Sequence, residues 1–284
     1  MFCSLSCLQS ACSSYHHHES RVALSQIFSI EGGQGFDEIS GSVLMVLRII
    51  TQNTLEFFTA ADWINEEGVK NVPSEVNDDD DGLYKFKCLF NMVRHHQSRS
   101  EVDLLSTSMK TIFILQVLEA ISFCSVKNDL KTLGPIIFHL LECVQYNSHP
   151  IDVVVGDIDP NKNVNLVEIG TAVYPTIATC LNHSCDPSTV RVSRGNTLIL
   201  VARRRIGFGE EISDCYGFHY TSLPLTQRRQ RLEKWFRFRC GCEACMKQYP
   251  VMASLTTSLK QRQHQDLRTL LEKFHWSLQH GEVS

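Results

Sequence analysis

The chain has 284 residues, 43% of them hydrophobic, and a net charge of -4. That length holds one large domain or two modest ones, and that apolar share excludes global disorder. A slightly acidic balance excludes wholesale attraction to polyanions, so direct nucleic-acid binding is not expected.

The N-terminus, MFCSLSCLQS, lacks a basic region followed by an apolar run, so it does not read as a secretory signal. The most apolar stretch, GSVLMVLRII, is short and contains Arg48, so no membrane span is expected. Without an export signal, the 12 cysteines read as reduced thiols or metal ligands and not as disulfides. Cys88, Cys124, Cys143 and Cys180 read as core thiols, since a free cysteine behaves as a small hydrophobe.

In chain order, residues 1–20 are rich in cysteine and histidine and have no core pattern. Residues 40–60 carry Leu44, Leu47 and Ile50 at helical spacing and predict one helix. Glu66 to Gly82 is polar and breaker-rich, and predicts a loop. Its run Asp78 to Asp81 lacks the alternating ligands and closing glutamate of a calcium loop, so a solvated loop is expected. Glu101 to Phe123 predicts a second long helix. Leu130 to Gln145 predicts a third, with Gly134-Pro135 near its start.

The texture then changes. IDVVVGD and VNLVEIG are short and β-branched, joined by the turn-rich DPNKN. TVRVSRGNTLILVARRR predicts a hairpin about Gly195-Asn196. GFGEE is a turn into ISDCYG, and LTQRRQRLEKWF predicts a polar helix before FRCGCEAC. The tail from Ser254 to Gln279 is helical by composition, with Leu255, Leu259, Leu267, Leu270 and Leu271 on or near one side. Helices first and short antiparallel strands after predict an α+β fold.

Cys240, Cys242 and Cys245 form C-x-C-x-x-C, a thiolate set suited to tetrahedral zinc. A closed structural site needs four ligands, and this run supplies three. Cys185, in CLNHSCDPSTV, is the candidate fourth. The alternative is three incidental thiols, which would be prone to oxidation so close together.

Three ordered segments, IGTAVYPTIATCLNHSCDPS, GEEISDCYG and FRCGCEAC, resemble the core SET and post-SET motifs of SET-domain protein-lysine methyltransferases. The match runs roughly from Val153 to Cys245. Within that superfamily the chain most resembles the SMYD group, in which a zinc-binding MYND module interrupts the SET domain, and especially its tetratricopeptide-repeat-bearing branch. FCSLSCLQSACSSYHHHES resembles the second half of a MYND finger, with Cys3, Cys7 and His16 at ligand spacing. The resemblance divides the chain into a MYND remnant (1–20), a helical insertion (40–146), a core SET domain (147–218), a zinc-bound post-SET segment (219–248) and a helical tail (249–284).

The resemblance implies S-adenosylmethionine and zinc as cofactors, and a protein substrate with a target lysine, histone or non-histone. Asn182 and His183 would hold the donor, largely through backbone and amide hydrogen bonds. Tyr216 would be the catalytic tyrosine and would also touch the donor. Phe238 would stack on adenine, Phe236 would wall the lysine channel, and Cys185, Cys240, Cys242 and Cys245 would hold zinc. Cytoplasm and nucleus are both open. In isolation, Tyr216 reads as a strand-end tyrosine, His183 as a core histidine, and Phe236 and Phe238 as core aromatics.

The rival enzyme is a Cys–His hydrolase using Cys185 and His183, whose i, i+2 spacing on an extended segment shares a face. Zinc on Cys185 would remove that nucleophile. A late basic group, Arg203, Arg204, Arg205, Arg228, Arg229, Arg231, Arg237 and Arg239, is expected to form a solvated face with Glu210, Glu211 and Glu233.

The chain also departs from the family pattern. A glycine-rich G-x-G segment is not seen ahead of the finger remnant, and EGGQGF, at Glu31 to Phe36, lies on the wrong side of it. The finger's leading C-x-x-C pairs are missing and Ser20 stands at its final ligand position. Cys3, Cys7 and His16 are therefore not expected to close a metal site. Ser188 stands where the SET motif usually has asparagine. YNSHPI, from Tyr146 to Ile151, stands where relatives tend to have an aromatic lining the channel. The expectation is a fragment or shortened form of a longer SMYD-like protein. Its alternative to catalysis is an impaired SET scaffold that acts by binding other proteins.

Overall fold

A computed structural model describes residues 4–21, 36–60, 64–65, 68–69, 81–154, 166–175, 180–194 and 197–254. Cys3, the Gly32-Gly33 run, Asp78 to Asp80, the DPNKN turn, Gly195-Asn196 and the leucines of the tail lie outside them. The chain forms two units: residues 1–149 with 171–176, and residues 150–170 with 177–284.

The first unit is helical. Helices α1 (Leu5–Ser13) and α2 (His16–Glu19) come first. The single helix expected over 40–60 is two helices, α3 (Phe36–Thr51) and α4 (Leu55–Ala60). The break is chemical. The Asn53 amide donates to the carbonyl of Ile49, and the Thr54 hydroxyl accepts from the backbone N–H of Phe57. Together they end one helix and cap the next. Two short strands, β1 (Ile64–Asn65) and β2 (Gly68–Val69), pair antiparallel. Helix α5 (Asp81–Phe90) follows, an element hidden in the sequence behind the aspartate run.

Helix α6 (Glu101–Ala120) starts at a capping box in which Ser100 and Asp103 each bond the other's backbone N–H. It stops three residues before the expected end, where Ser122 takes a left-handed φ of 60°. Helix α7 (Val126–Asn147) starts four residues earlier than expected, so Gly134-Pro135 lies inside it. Asp129 and Glu119 carboxylates accept the free N–H groups of Ser125 and Val126 at that start.

The core of this unit joins Val46, Leu47 and Ile50 of α3 to Phe58, Phe86, Phe90, Ile114, Leu118, Leu133, Ile137 and Leu140, all buried. One carboxylate sits among these elements. Glu142 is 0% exposed and meets Arg94 at 2.9 Å, His96 at 2.8 Å and Arg99 at 3.1 Å. Cys143 is buried as expected, and Cys88 and Cys124 are half-buried. Cys180 is exposed, against its expected place in a core.

Strands β3 (Ser148–Val154) and β4 (Leu166–Val173) pair where the chain passes between units. The second unit holds the expected hairpin, β6 (Thr189–Arg194) and β7 (Thr197–Ala202), antiparallel with Arg194 opposite Thr197. It also holds two-residue strands β5 (Asn182–His183) and β8 (Ser213–Asp214), helix α8 (Leu225–Phe236) and the short α9 (Glu243–Met246). The fold is α+β, with one departure from the antiparallel expectation: β5 and β8 run parallel. Among the described residues no helix is long and apolar enough to cross a membrane.

Candidate active site and cysteine cluster

The parallel pairing of β5 with β8 assembles the site. Asn182 lies opposite Ser213 and His183 opposite Asp214, and the Ser184 N–H continues the ladder to the Asp214 carbonyl at 2.8 Å. The pair is held by a buried serine clasp. The Ser213 N–H donates to Ser188 Oγ at 2.8 Å, and the Ser188 N–H donates to Ser213 Oγ at 3.1 Å. Burial raises the Asp214 carboxyl, opposed by Arg191, whose Nε lies 2.8 Å away without the alignment of a hydrogen bond.

This ladder delivers Tyr216 beside His183. The Tyr216 N–H donates to His183 Nδ1 at 3.0 Å, and its hydroxyl donates to the Leu181 carbonyl at 2.7 Å. Because Nδ1 accepts, the imidazole proton sits on Nε2, which points at Cys185 Sγ, 3.3 Å away. Burial holds His183 down to about 4, so the ring is neutral and bridges the tyrosine backbone to a cysteine sulfur. Burial also raises the Tyr216 phenol, which keeps its proton as a donor. Asn182 is exposed, and its amide donates to Glu211 at 2.7 Å.

Aromatic rings close around Tyr216. Its ring centroid is 4.9 Å from Phe236, 5.2 Å from His183 and 6.4 Å from Phe238. Phe238 is in turn 6.0 Å from His183. A left-handed turn at Arg237, φ 57°, ends α8 between the two phenylalanines and sends both toward Tyr216.

The thiols of Cys185, Cys240, Cys242 and Cys245 lie within 4.8 Å of one another. Cys185 Sγ is 3.5 Å from Cys245 and 4.0 Å from Cys240. Zinc–sulfur bonds of about 2.3 Å in a tetrahedron require sulfurs about 3.8 Å apart, so the set fits that ion. Backbone N–H groups already point at the sulfurs: Cys185 to Cys242 at 3.3 Å and Cys242 to Cys240 at 3.4 Å. Such donors favour thiolate. Hydrogen bonds to Cys240 and Cys242, with burial, push the Cys185 thiol far up, while bonds from Cys185 and Cys240 pull Cys242 down. Four thiols so close ionise together only around a cation.

The sequence misread Arg228. Of the basic group, Arg204 does pair with Glu210 at the surface. Arg228 instead is 0% exposed and reaches the Leu223 carbonyl, the Ala244 carbonyl and Cys245 Sγ. The signal was in the helical register: Arg228 lies three residues after Leu225 and four before the buried Leu232. At the other end, Cys7 is exposed on α1, while His16 Nδ1 lies 3.8 Å from Glu19. Neither joins a metal-competent group among the described residues.

A parallel splice between two distant segments, an aromatic cage around one tyrosine and a four-cysteine cluster define a class of protein. A family model described as "SET domain" matches residues 50–217, more than half of the chain. The chain is similar to mouse protein-lysine N-methyltransferase SMYD4, 36% identical over 83 residues, which are 29% of this chain and 10% of that protein. It is also similar to human histone-lysine N-methyltransferase SMYD3, 39% identical over 88 residues, 30% of this chain and 19% of that one. A Dictyostelium discoideum SET and MYND domain-containing protein is 44% identical over 78 residues, 28% of this chain and 6% of its own length. The chain belongs to the SET-domain family, and the two mammalian relatives it is similar to are SMYD proteins. It spans about a tenth to a fifth of the length of these two mammalian relatives.

Proposed function

We propose that this chain carries the core of a protein-lysine N-methyltransferase that draws its methyl group from S-adenosylmethionine and is ordered by a structural zinc ion. The observation that carries the reading is Tyr216, fixed by His183 and Leu181 and faced by Phe236 and Phe238. Bound there, the donor supplies a sulfonium methyl group open to displacement by an amine. In that displacement the lysine nitrogen would gain the carbon as the carbon–sulfur bond broke, and would release a proton to solvent.

The residues supply placement more than covalent chemistry. An apolar wall of Phe236 and Tyr216 favours an uncharged lysine amine, because burial penalises the ammonium form. Asn182 and the His183 backbone would hold the donor, with Phe238 against its adenine. Both His183 nitrogens already have partners, so its side chain would position Tyr216 and Cys185 and would not grip the donor. Cys185, Cys240, Cys242 and Cys245 would hold zinc and pin α9 behind the aromatic cage. The substrate would be a protein lysine, histone or non-histone. Reduced thiols fit the cytoplasm, the nucleus or both.

Calorimetric titration of the zinc-loaded chain with S-adenosylmethionine tests the reading, with metal content measured on the same sample. Saturable binding with one zinc per chain supports it. One zinc without donor binding overturns the enzyme claim for this chain and leaves a SET scaffold that acts through protein contacts.

A further inference from the structure

We infer that Arg228 is the charge-balancing and positioning residue of the four-cysteine site, and that its positive charge sets how tightly the cluster holds its metal. This rests on the zinc reading of that cluster.

Four thiolates around a divalent cation carry two net negative charges. Three of them sit in a dry place: Cys185 is 0% exposed, Cys245 1% and Cys240 3%, while Cys242 is half-buried. Burying that charge without compensation is unfavourable. Arg228 has the complementary problem. It is a fully buried guanidinium, and no ion pair among the described residues gives it a carboxylate. Nη1 donates to the Leu223 carbonyl at 2.6 Å and Nη2 to the Ala244 carbonyl at 3.3 Å, while Nε has no hydrogen-bond partner. The anionic atoms within reach are sulfurs of the cluster: Cys245 Sγ lies 3.8 Å from Nη2, and the Cys185 sulfur also bonds the guanidinium. Each group therefore resolves the other's burial. The two carbonyl bonds also tie the segment before α8 to α9, which carries Cys245, so the charge is delivered at a fixed place.

The test compares Arg228→Met, Arg228→Gln and Arg228→Lys with the parent chain, each loaded with zinc. Zinc affinity is read by competition with a chromophoric chelator, and cobalt substitution reports the sulfur-to-metal charge-transfer band. Far-ultraviolet circular dichroism checks folding. Loss of the charge is expected to weaken zinc affinity about 10- to 100-fold in the Met and Gln variants. Arg228→Lys, which keeps the charge and loses the planar fork that fixes its place, is expected to lie between the parent and the neutral variants, within about 10-fold of the parent. Should the neutral variants not fold, the lysine variant decides alone, and a loss in it above about 10-fold would overturn the inference. A lysine variant as weak as the neutral ones, or neutral variants within twofold of the parent, would overturn the inference. A parent chain that takes up no zinc would instead sink the zinc reading beneath it.

Discussion

Ser188 and Ser213 satisfy each other's backbone: each N–H donates to the other's hydroxyl oxygen, at 3.1 and 2.8 Å, and both residues are buried. Ser188→Ala removes the acceptor and leaves the Ser213 N–H unpaired out of reach of water. The expected cost is about 1–3 kcal/mol in urea unfolding. A loss under 0.5 kcal/mol would mean that the clasp is replaceable.

Tyr216→Phe removes only the hydroxyl that donates to Leu181. The fold is expected to lose at most about 1.5 kcal/mol. Methyl transfer to a protein substrate is expected to fall by about 10²-fold or more, in line with the loss of one positioned donor. Full turnover in single-turnover assays would reduce Tyr216 to a structural tyrosine.

Metal removal has a localised expected outcome. Chelation is expected to expose the four cluster thiols to alkylation, and Cys185→Ser the remaining three; either is expected to flatten the near-ultraviolet dichroism of Tyr216, Phe236 and Phe238. The helices of the first unit should keep their far-ultraviolet signal. Mass spectrometry after alkylation counts the thiols. Unchanged labelling on chelation would dissociate the cluster from any ion.

Glu142 holds Arg99, whose side chain is 1% exposed, together with Arg94 and His96. Glu142→Gln keeps the shape and deletes the charge. Leaving the buried Arg99 guanidinium uncompensated is expected to cost about 3–5 kcal/mol, read as a shift in the denaturant midpoint. A double change of Glu142 and Arg99 to apolar residues should cost less than the single one.

His139 gives the helical unit an acid-side weakness. Its Nε2 donates to the Phe90 carbonyl at 2.6 Å, and burial holds the imidazole down to about 4. Above pH 6.5 both folded and unfolded chains carry it neutral, and its contribution is complete. As pH falls from 6.5 toward 4 the unfolded chain takes a proton that the folded chain refuses, and stability declines by up to about 3 kcal/mol. His183 and His219 sit at about 4 as well and share the window. His139→Gln is expected to remove one proton's worth of slope in unfolding measured between pH 7.5 and 4.5.

What could be read in advance follows from what has a period or a ligand arithmetic. Helix α8 spans the predicted run LTQRRQRLEKWF, and the hairpin pairs the two runs the sequence sets on either side of Gly195-Asn196. Three cysteines in C-x-C-x-x-C demanded a fourth, and Cys185 meets them in space. The β5–β8 splice was illegible from local pattern, because two-residue strands have no periodicity. Arg228 was hidden by its own residue type, which is normally solvated; only its register with Leu225 and Leu232 betrayed it. The starts of α5 and α7 were masked by the aspartate run and by Gly134-Pro135, whose usual meaning tertiary packing overrode.

The distances along the chain that the site bridges carry a kinetic consequence. Cys185 meets Cys240 across 55 residues and Cys245 across 60, and Tyr216 meets His183 across 33. Every such closure spends chain entropy before any contact rewards it. The helices of the first unit, built on local bonds, are expected to form early, and the splice and the cluster to come together later. Interactions that form after the folding barrier act on unfolding. Loss of Ser188, Cys185 or Arg228 should therefore leave the folding rate nearly untouched and shorten the lifetime of the finished protein.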